Sequence, residues 1–195
     1  MEITEEIHFF TEEVKKEITI TRFEHSIRVA EIAYKLSLIN GITNPHSGYL
    51  AGILHDITKQ KPNSFHIEIF QRHSFDCSLL PQPAYHPHSA YFYIQDKYKF
   101  GSVEVLSAVK NHTLGGVDLP ILDKILYVSD FLGSEFALRS PFYESWMKQT
   151  EESLLFGILL KSKNTINDLL EKNLEIHEKT FKMYNETVRL VSSSI

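Results

Sequence analysis

The pair His55-Asp56 sits near the end of Tyr49-Leu-Ala-Gly-Ile-Leu-His-Asp-Ile-Thr-Lys59, a stretch that is otherwise nearly all apolar. Leu50, Ile53, Leu54 and Ile57 recur at helical spacing, so the stretch reads as a buried helix. A carboxylate there is costly unless something pairs with its charge. A metal ion is the simplest partner, and it needs further donors from elsewhere in the chain.

Three other segments put a His or an Asp where the apolar pattern expects a core residue. The stripe Val29, Ile32, Ala33 and Leu36, extended back by four, passes through His25. Val105, Ala108 (or Leu106) and Val109 lead to His112, and Leu122 and Leu126 lead to Asp130. Each has a bland reading: a satisfied core histidine, a helix end, a capped aspartate. Together they describe one polar spot inside a helical bundle, which is how bundles build metal sites. Imidazole with carboxylate suits Fe, Mn, Zn, Ni or Co rather than Ca or a thiolate-bound metal.

The remaining histidines divide less sharply. His86 and His88 open a helix at Tyr85-His-Pro-His-Ser-Ala-Tyr91, where pointing into a cleft and local capping are equal readings. His66 and His73 read as solvated or locally hydrogen-bonded, and His177 as structural. Gly115-Gly116, just after His112-Thr113, permits close backbone approach to a ligand, or is a plain C-cap.

The elements that must position these residues are all helical in pattern. Ile7, Phe10, Val14 and Ile18 mark a first helix over 2–17. Thr21 and Glu24 form a capping box for a second over 22–39, stopped by Asn40-Gly41. Asn44-Pro45 starts the central helix over 45–59. A short helix around Ile67–Phe70, one facing the core with Ala90, Tyr91 and Ile94, and helices over 103–112 and 120–132 follow. From 144 the pattern is packing helix, with Leu154, Leu155, Ile158, Leu159, Ile166, Leu169, Leu170, Ile176, Phe181, Tyr184 and Val188 apolar. No strand alternation is long enough for a sheet, so the expected fold is all-α.

Composition narrows the function. At 195 residues and 43% hydrophobic, one domain over 1–195 is expected, its core at 20–135 and C-terminal helices at 144–190. A net charge of −5 argues against a general nucleic-acid or anionic-membrane binder. The single Cys77 excludes an internal disulfide and a cysteine-rich metal site, and the ten histidines fit the alternative. The acidic N-terminus lacks a secretion signal, and no run of about 18 apolar residues exists, so a cytoplasmic protein is expected. There is no P-loop, GxGxxG turn or GxSxG elbow.

His25…His55-Asp56…Asp130 resembles the H…HD…D signature of the HD-domain metal-dependent phosphohydrolases. More narrowly, the chain is similar to the YqeK-type symmetrical bis(5′-nucleosyl)-tetraphosphatases. The matching pieces are Arg22-Phe-Glu-His25-Ser, Leu50-Ala-Gly-Ile-Leu-His55-Asp56-Ile-Thr-Lys59, His86-Pro-His-Ser-Ala90-Tyr91, Val109-Lys-Asn-His112-Thr113 and Lys124-Ile-Leu-Tyr127-Val-Ser-Asp130. The tail, Lys163-Asn164-Thr165 through Tyr184-Asn185, is similar too.

The resemblance implies an HD-type helical bundle that hydrolyses diadenosine tetraphosphate to two ADP. It implies a dinuclear divalent-metal centre, iron first among Fe, Mn, Co, Ni and Zn. His25, His55, Asp56 and Asp130 would hold one ion, and His86 and His112 a second, with Asp56 bridging. Catalytic roles fall to Asp56 and Lys59, phosphate contacts to Arg22 and Lys59, and the nucleotide pocket to Thr113, Gly115 and Gly116. The implied partner is a small nucleotide, with no nucleic acid or membrane, and a homodimer is one oligomeric option. The segment before Ala90-Tyr91 is one residue short of the family's spacing, so His86 is favoured over His88. Phe131-Leu-Gly-Ser-Glu-Phe136 stands where the family has an acidic-Pro-Asn-Arg segment, leaving Arg139 as the substitute for its arginine. Other readings are action on another nucleotide or phosphoester, a nucleotide sensor without turnover, and a helical interaction domain that binds no metal.

Overall fold

The computed structural model describes residues 4–193 and is all-α, with no strand among them. Residues 2 and 3 of the expected first helix lie outside the described residues. In chain order the helices are α1 (Glu5–Glu17), α2 (Ile20–Ile39), α3 (His46–Leu54), α4 (Asn63–Arg72) and α5 (Tyr85–Tyr98). They continue with α6 (Val103–Asn111), α7 (Ile121–Leu132), the short α8 (Glu135–Leu138), α9 (Tyr143–Glu152), α10 (Leu154–Glu171) and α11 (Glu178–Ser192). A 3-10 turn at Gln82–Ala84 leads into α5. No helix among the described residues is long and apolar enough to cross a membrane.

Two apolar cores share their walls. One gathers Ile7, Phe10, Val14, Leu50, Ile53, Leu54, Ile94, Val105 and Val109. The other gathers Leu36, Ile125, Tyr127, Val128, Leu132, Ile158 and Met183. Helices α2 and α7 feed both, through Val29 against Leu36 and Leu122 against Val128. That central pair carries His25 and Asp130.

Helices α2 and α3 approach backbone to backbone, and two glycines four apart make this possible. A Cβ on Gly52 would lie 2.4 Å from Ala30 Cα, and one on Gly48 would lie 2.7 Å from the Ala33 carbonyl oxygen. Both neighbours are backbone, so nothing can swing aside. Gly52→Ala is therefore expected to cost about 3 kcal/mol or more, as overpacking does. That lowers the melting temperature by about 6–12 °C for a chain of this size. A thermal scan showing a shift under about 2 °C would mean the two helices are not in backbone contact.

Several element ends differ from the sequence pattern. Helix α2 starts at Ile20, not Arg22, because the cap is Thr19 rather than Thr21. Thr19 is tied to the turn after α3: its N–H donates to Gln60 Oε1 at 2.8 Å, and Gln60 Nε2 donates to Thr19 Oγ1 at 3.1 Å. In α11 the inward line is Thr180, Met183 and Thr187, while Phe181 is exposed. The Thr180 hydroxyl donates to the Leu114 carbonyl at 3.0 Å, which sets that phase against a purely apolar stripe. His66 is not solvated: it is buried, with Nδ1 2.7 Å from Ser89 Oγ.

Candidate metal centre

The central helix stops at Leu54 instead of running to Lys59, and the reason lies in His55. Its Nδ1–H donates to the Gly52 carbonyl at 2.6 Å, taking the acceptor that the next helical turn needs. The chain then goes through tight turns, with Ile57 N–H on Leu54 O and Lys59 N–H on Asp56 O. At the end of α6, His112 repeats the device, its Nδ1–H donating to the Val109 carbonyl at 2.7 Å. His25 Nδ1–H donates to the Gly133 carbonyl at 3.1 Å. Each of these bonds fixes the tautomer and turns the Nε2 lone pair inward, as metal-binding histidines require.

The inward atoms converge. His25 Nε2 and His55 Nε2 are 3.2 Å apart. Asp130 Oδ1 lies 3.3 Å from the first and 3.6 Å from the second, and Asp56 Oδ2 lies 3.9 and 3.4 Å from them. On the other side of Asp56, Oδ1 is 3.1 Å from His86 Nε2 and 3.7 Å from His112 Nε2. Those two nitrogens are 3.1 Å apart. Around a cation with ligands at about 2.1 Å, neighbouring donors stand roughly 3.0–3.4 Å apart. The two groups, His25/His55/Asp56 and Asp56/His86/His112, are buried and share one carboxylate.

The donor set fits a cation on a further ground. Asp56 Oδ1 is buried and receives no hydrogen bond, although His86 Nε2 is 3.1 Å away. An orphaned buried carboxylate oxygen demands a positive partner. The protonation balance points the same way. Burial pulls the His55 imidazole down, but Asp56 and Asp130 outweigh it and lift it to about 9. Burial also opposes the charge on Asp56, yet His55, His112 and His86 hold that carboxyl well below the usual range. Burial drives His86 down to about 3. A proton or a divalent cation at His55 Nε2 would answer the same carboxylates, the cation with more charge.

His88 is directed elsewhere: its Nδ1–H donates to the Ala84 carbonyl at 3.0 Å and its ring tilts against Phe75. Of the two, His86 is the one that faces Asp56. Arg22 Nη1 donates to Asp56 Oδ2 at 3.0 Å. Lys59 Nζ lies over the His86 ring, 3.3 and 3.2 Å from its two nitrogens. Thr113 Oγ1 is 3.3 Å from His86 Nε2. The space on the Cβ side of Gly115, at φ +69, is filled by Met183, and that of Gly116 by Leu119, so on that side the close approach they permit is to protein. Arg139 is 83% exposed and faces Glu135.

One participant had escaped the sequence reading. Lys161 of α10 is buried, and its Nζ donates to Asp130 Oδ2 and to the His112 carbonyl, both at 2.9 Å. It also lies 4.1 Å above the Tyr127 ring. The signal was there: Lys161 follows Ile158 by three residues on the inward stripe of α10, as Asp130 follows Leu126 on α7.

With this geometry in place, likenesses to known proteins acquire meaning. A tetraphosphatase of Bacillus subtilis strain 168, named bis(5′-nucleosyl)-tetraphosphatase, symmetrical, is 28% identical over 175 residues, covering 88% of this chain and 92% of that protein. A protein of the same name from Staphylococcus aureus is 28% identical over 174 residues, covering 88% and 89%. A probable nicotinate-nucleotide adenylyltransferase/Ap4A hydrolase of Mycoplasma genitalium is 25% identical, over 57% of this chain and 31% of its own. The fold matches, at TM-score 0.82 and 22% identity over 93% of this chain and 96% of the other, the crystal structure of a predicted HD superfamily hydrolase involved in NAD metabolism from Clostridium acetobutylicum. The model of the HD domain matches residues 22–133, which span all six residues of the cluster and more than half of the sequence, and the chain belongs to that family.

Proposed function

We propose that this protein is a metal-dependent phosphohydrolase that splits dinucleoside tetraphosphates symmetrically, diadenosine tetraphosphate giving two ADP. The observation that carries the reading is the shared carboxylate: Asp56 turns one oxygen to each of two buried donor groups. The similarity to the two symmetrical tetraphosphatases supports the choice of substrate. On this reading His25, His55, Asp56 and Asp130 hold one divalent ion, and His86 and His112 a second beside Asp56. Iron is the metal we assign, and Mn, Co, Ni or Zn suits the same donors. Such ions supply Lewis acidity that offsets phosphoryl charge and acidifies water.

The chain's own groups bind and orient. Arg22 uses one amino group on Asp56, which leaves guanidinium N–H donors for a phosphate oxygen. Lys59, at the rim over His86, offers a compact cation to the same phosphates. In the hydrolysis the oxygen of water bonds to one inner phosphorus, the bond from that phosphorus to the bridging oxygen breaks, and the leaving ADP takes a proton. Beside Thr113, an apolar cavity of about 340 Å³ between the 81–84 segment and α10, lined also by Leu114, Leu169, Leu174 and Thr180, seats one nucleoside. We place the protein in the cytoplasm, with a small nucleotide as its partner.

A second reading, hydrolysis of another nucleotide, draws support from the aromatic Phe131–Phe136 segment, which has no basic residue. Product analysis separates the two. Two ADP from diadenosine tetraphosphate is the expected result, and AMP plus ATP overturns symmetrical cleavage. Chelation is expected to abolish turnover, and Fe or Mn to restore it. Saturating metal is expected to raise the melting temperature by about 5–10 °C over the chelated protein, since it binds the folded state alone. Identical melting curves with and without metal contradict the centre itself.

A further inference from the structure

The geometry points to a second nucleoside seat in the cavity between α7–α8 and α10, with Phe136 as its stacking platform, an inference that rests on the substrate proposed above. This cavity measures about 370 Å³ and is lined by Asp130, Phe131, Phe136, Lys161, Asn164 and Asp168 among others. That volume lies within the range of about 300–1,000 Å³ typical of small-molecule sites.

Its placement makes the case. Thr165 and Leu169 of α10 form a wall common to this cavity and to the apolar one beside Thr113. Each cavity reaches the metal-donor cluster by a different side: one through Asp130, the other through Thr113, 3.3 Å from His86 Nε2. A substrate with identical ends, cut at its middle, needs one seat on each side of the reacting phosphates. Two cavities flanking one cluster meet that need.

The lining suits a nucleoside attached to phosphate. Phe136 is 61% exposed and stands 6.0 Å, ring to ring, from Phe131, so one of its faces is open. Aromatic faces hold bases of any identity by stacking. Lys161 closes the cluster end, its ammonium offsetting the Asp130 carboxylate that would otherwise repel phosphate there. Asn164 spends its Nδ2 on the Leu160 carbonyl and keeps its Oδ1 to accept from an exocyclic amine.

The test compares ligands with one and two nucleosides on the full-length, metal-loaded protein. In Phe136→Ala the KM for diadenosine tetraphosphate is expected to rise about tenfold or more, the scale of a lost base stack. The inhibition constant of adenosine 5′-tetraphosphate, whose single nucleoside we assign to the more apolar cavity beside Thr113, is expected to move by much less, and Phe136→Tyr to restore the wild-type KM. A KM that does not change, or one that moves in step with the inhibition constant, overturns the second seat. A wild-type protein that leaves diadenosine tetraphosphate intact overturns the substrate reading and the seat together.

Discussion

Asp56→Ala is expected to lower turnover of diadenosine tetraphosphate by at least ~10³-fold, the upper scale for deleting a group that acts directly on transition-state charge. Asp56 is the one residue common to both donor groups, with Oδ2 toward His25 and His55 and Oδ1 toward His86 and His112. Removing it dismantles both at once. His55→Ala, which takes one nitrogen from a single group, is expected to abolish turnover as well. The fold should survive either change, because α3 is held by Leu50, Ile53 and Leu54 and by its glycine contact with α2. Circular dichroism with metal analysis checks this: native helix content, lost metal and lost activity are the expected combination. Near-normal activity in either variant would put the reaction elsewhere.

Lys161→Met should have the next largest effect. Lys161 is 6% exposed, and its ammonium holds together Asp130 from one donor group and the backbone of His112 from the other. Methionine keeps the volume and removes the charge, so Asp130 Oδ2 and the His112 carbonyl both lose their partner. Breaking a buried pair from one side costs about 3–5 kcal/mol, and here the lower end applies because Asp130 is 25% exposed. In the chelated protein the melting temperature is expected to fall by about 6–12 °C. Metal affinity, read by titration, should weaken about 10–100-fold, as when an outer partner of a ligand is lost. An unchanged melting point together with unchanged affinity would show that Lys161 merely fills space.

How far the sequence could be read depended on what each residue needed from its own helix. His25, His112 and Asp130 were legible because each continues an apolar stripe on a single element, so helical periodicity alone exposes the misfit. The all-α class followed from the same periodicity. His86 required more, since its role depends on the 3-10 turn at Gln82–Ala84 and on Asp56 across the site, and pattern alone left it level with His88. The end of α3 was misplaced by five residues because a side chain, not a proline or glycine, stops the helix. The cap at Thr19 and the burial of His66 escaped local pattern for a shared reason. Their partners Gln60 and Ser89 are distant in sequence, and no local signal announces them. Lys161 is the exception, since it continues the inward stripe of α10 after Ile158 as Asp130 continues that of α7.

The glycine contact between α2 and α3 also bears on which ions the centre can admit. Gly52 meets Ala30 backbone to backbone, and the two helices so joined lead to His25 on one side and His55 on the other, whose Nε2 atoms are 3.2 Å apart. A rigid aperture sorts guests by radius before it sorts them by chemistry. On the proposed reading, ions the size of first-row transition metals would match it, whereas Ca²⁺, with bonds of about 2.3–2.6 Å and six to eight oxygens, would have to pry two helices apart. The proposed centre would then discriminate against an abundant competitor through a scaffold contact several residues away from any donor atom.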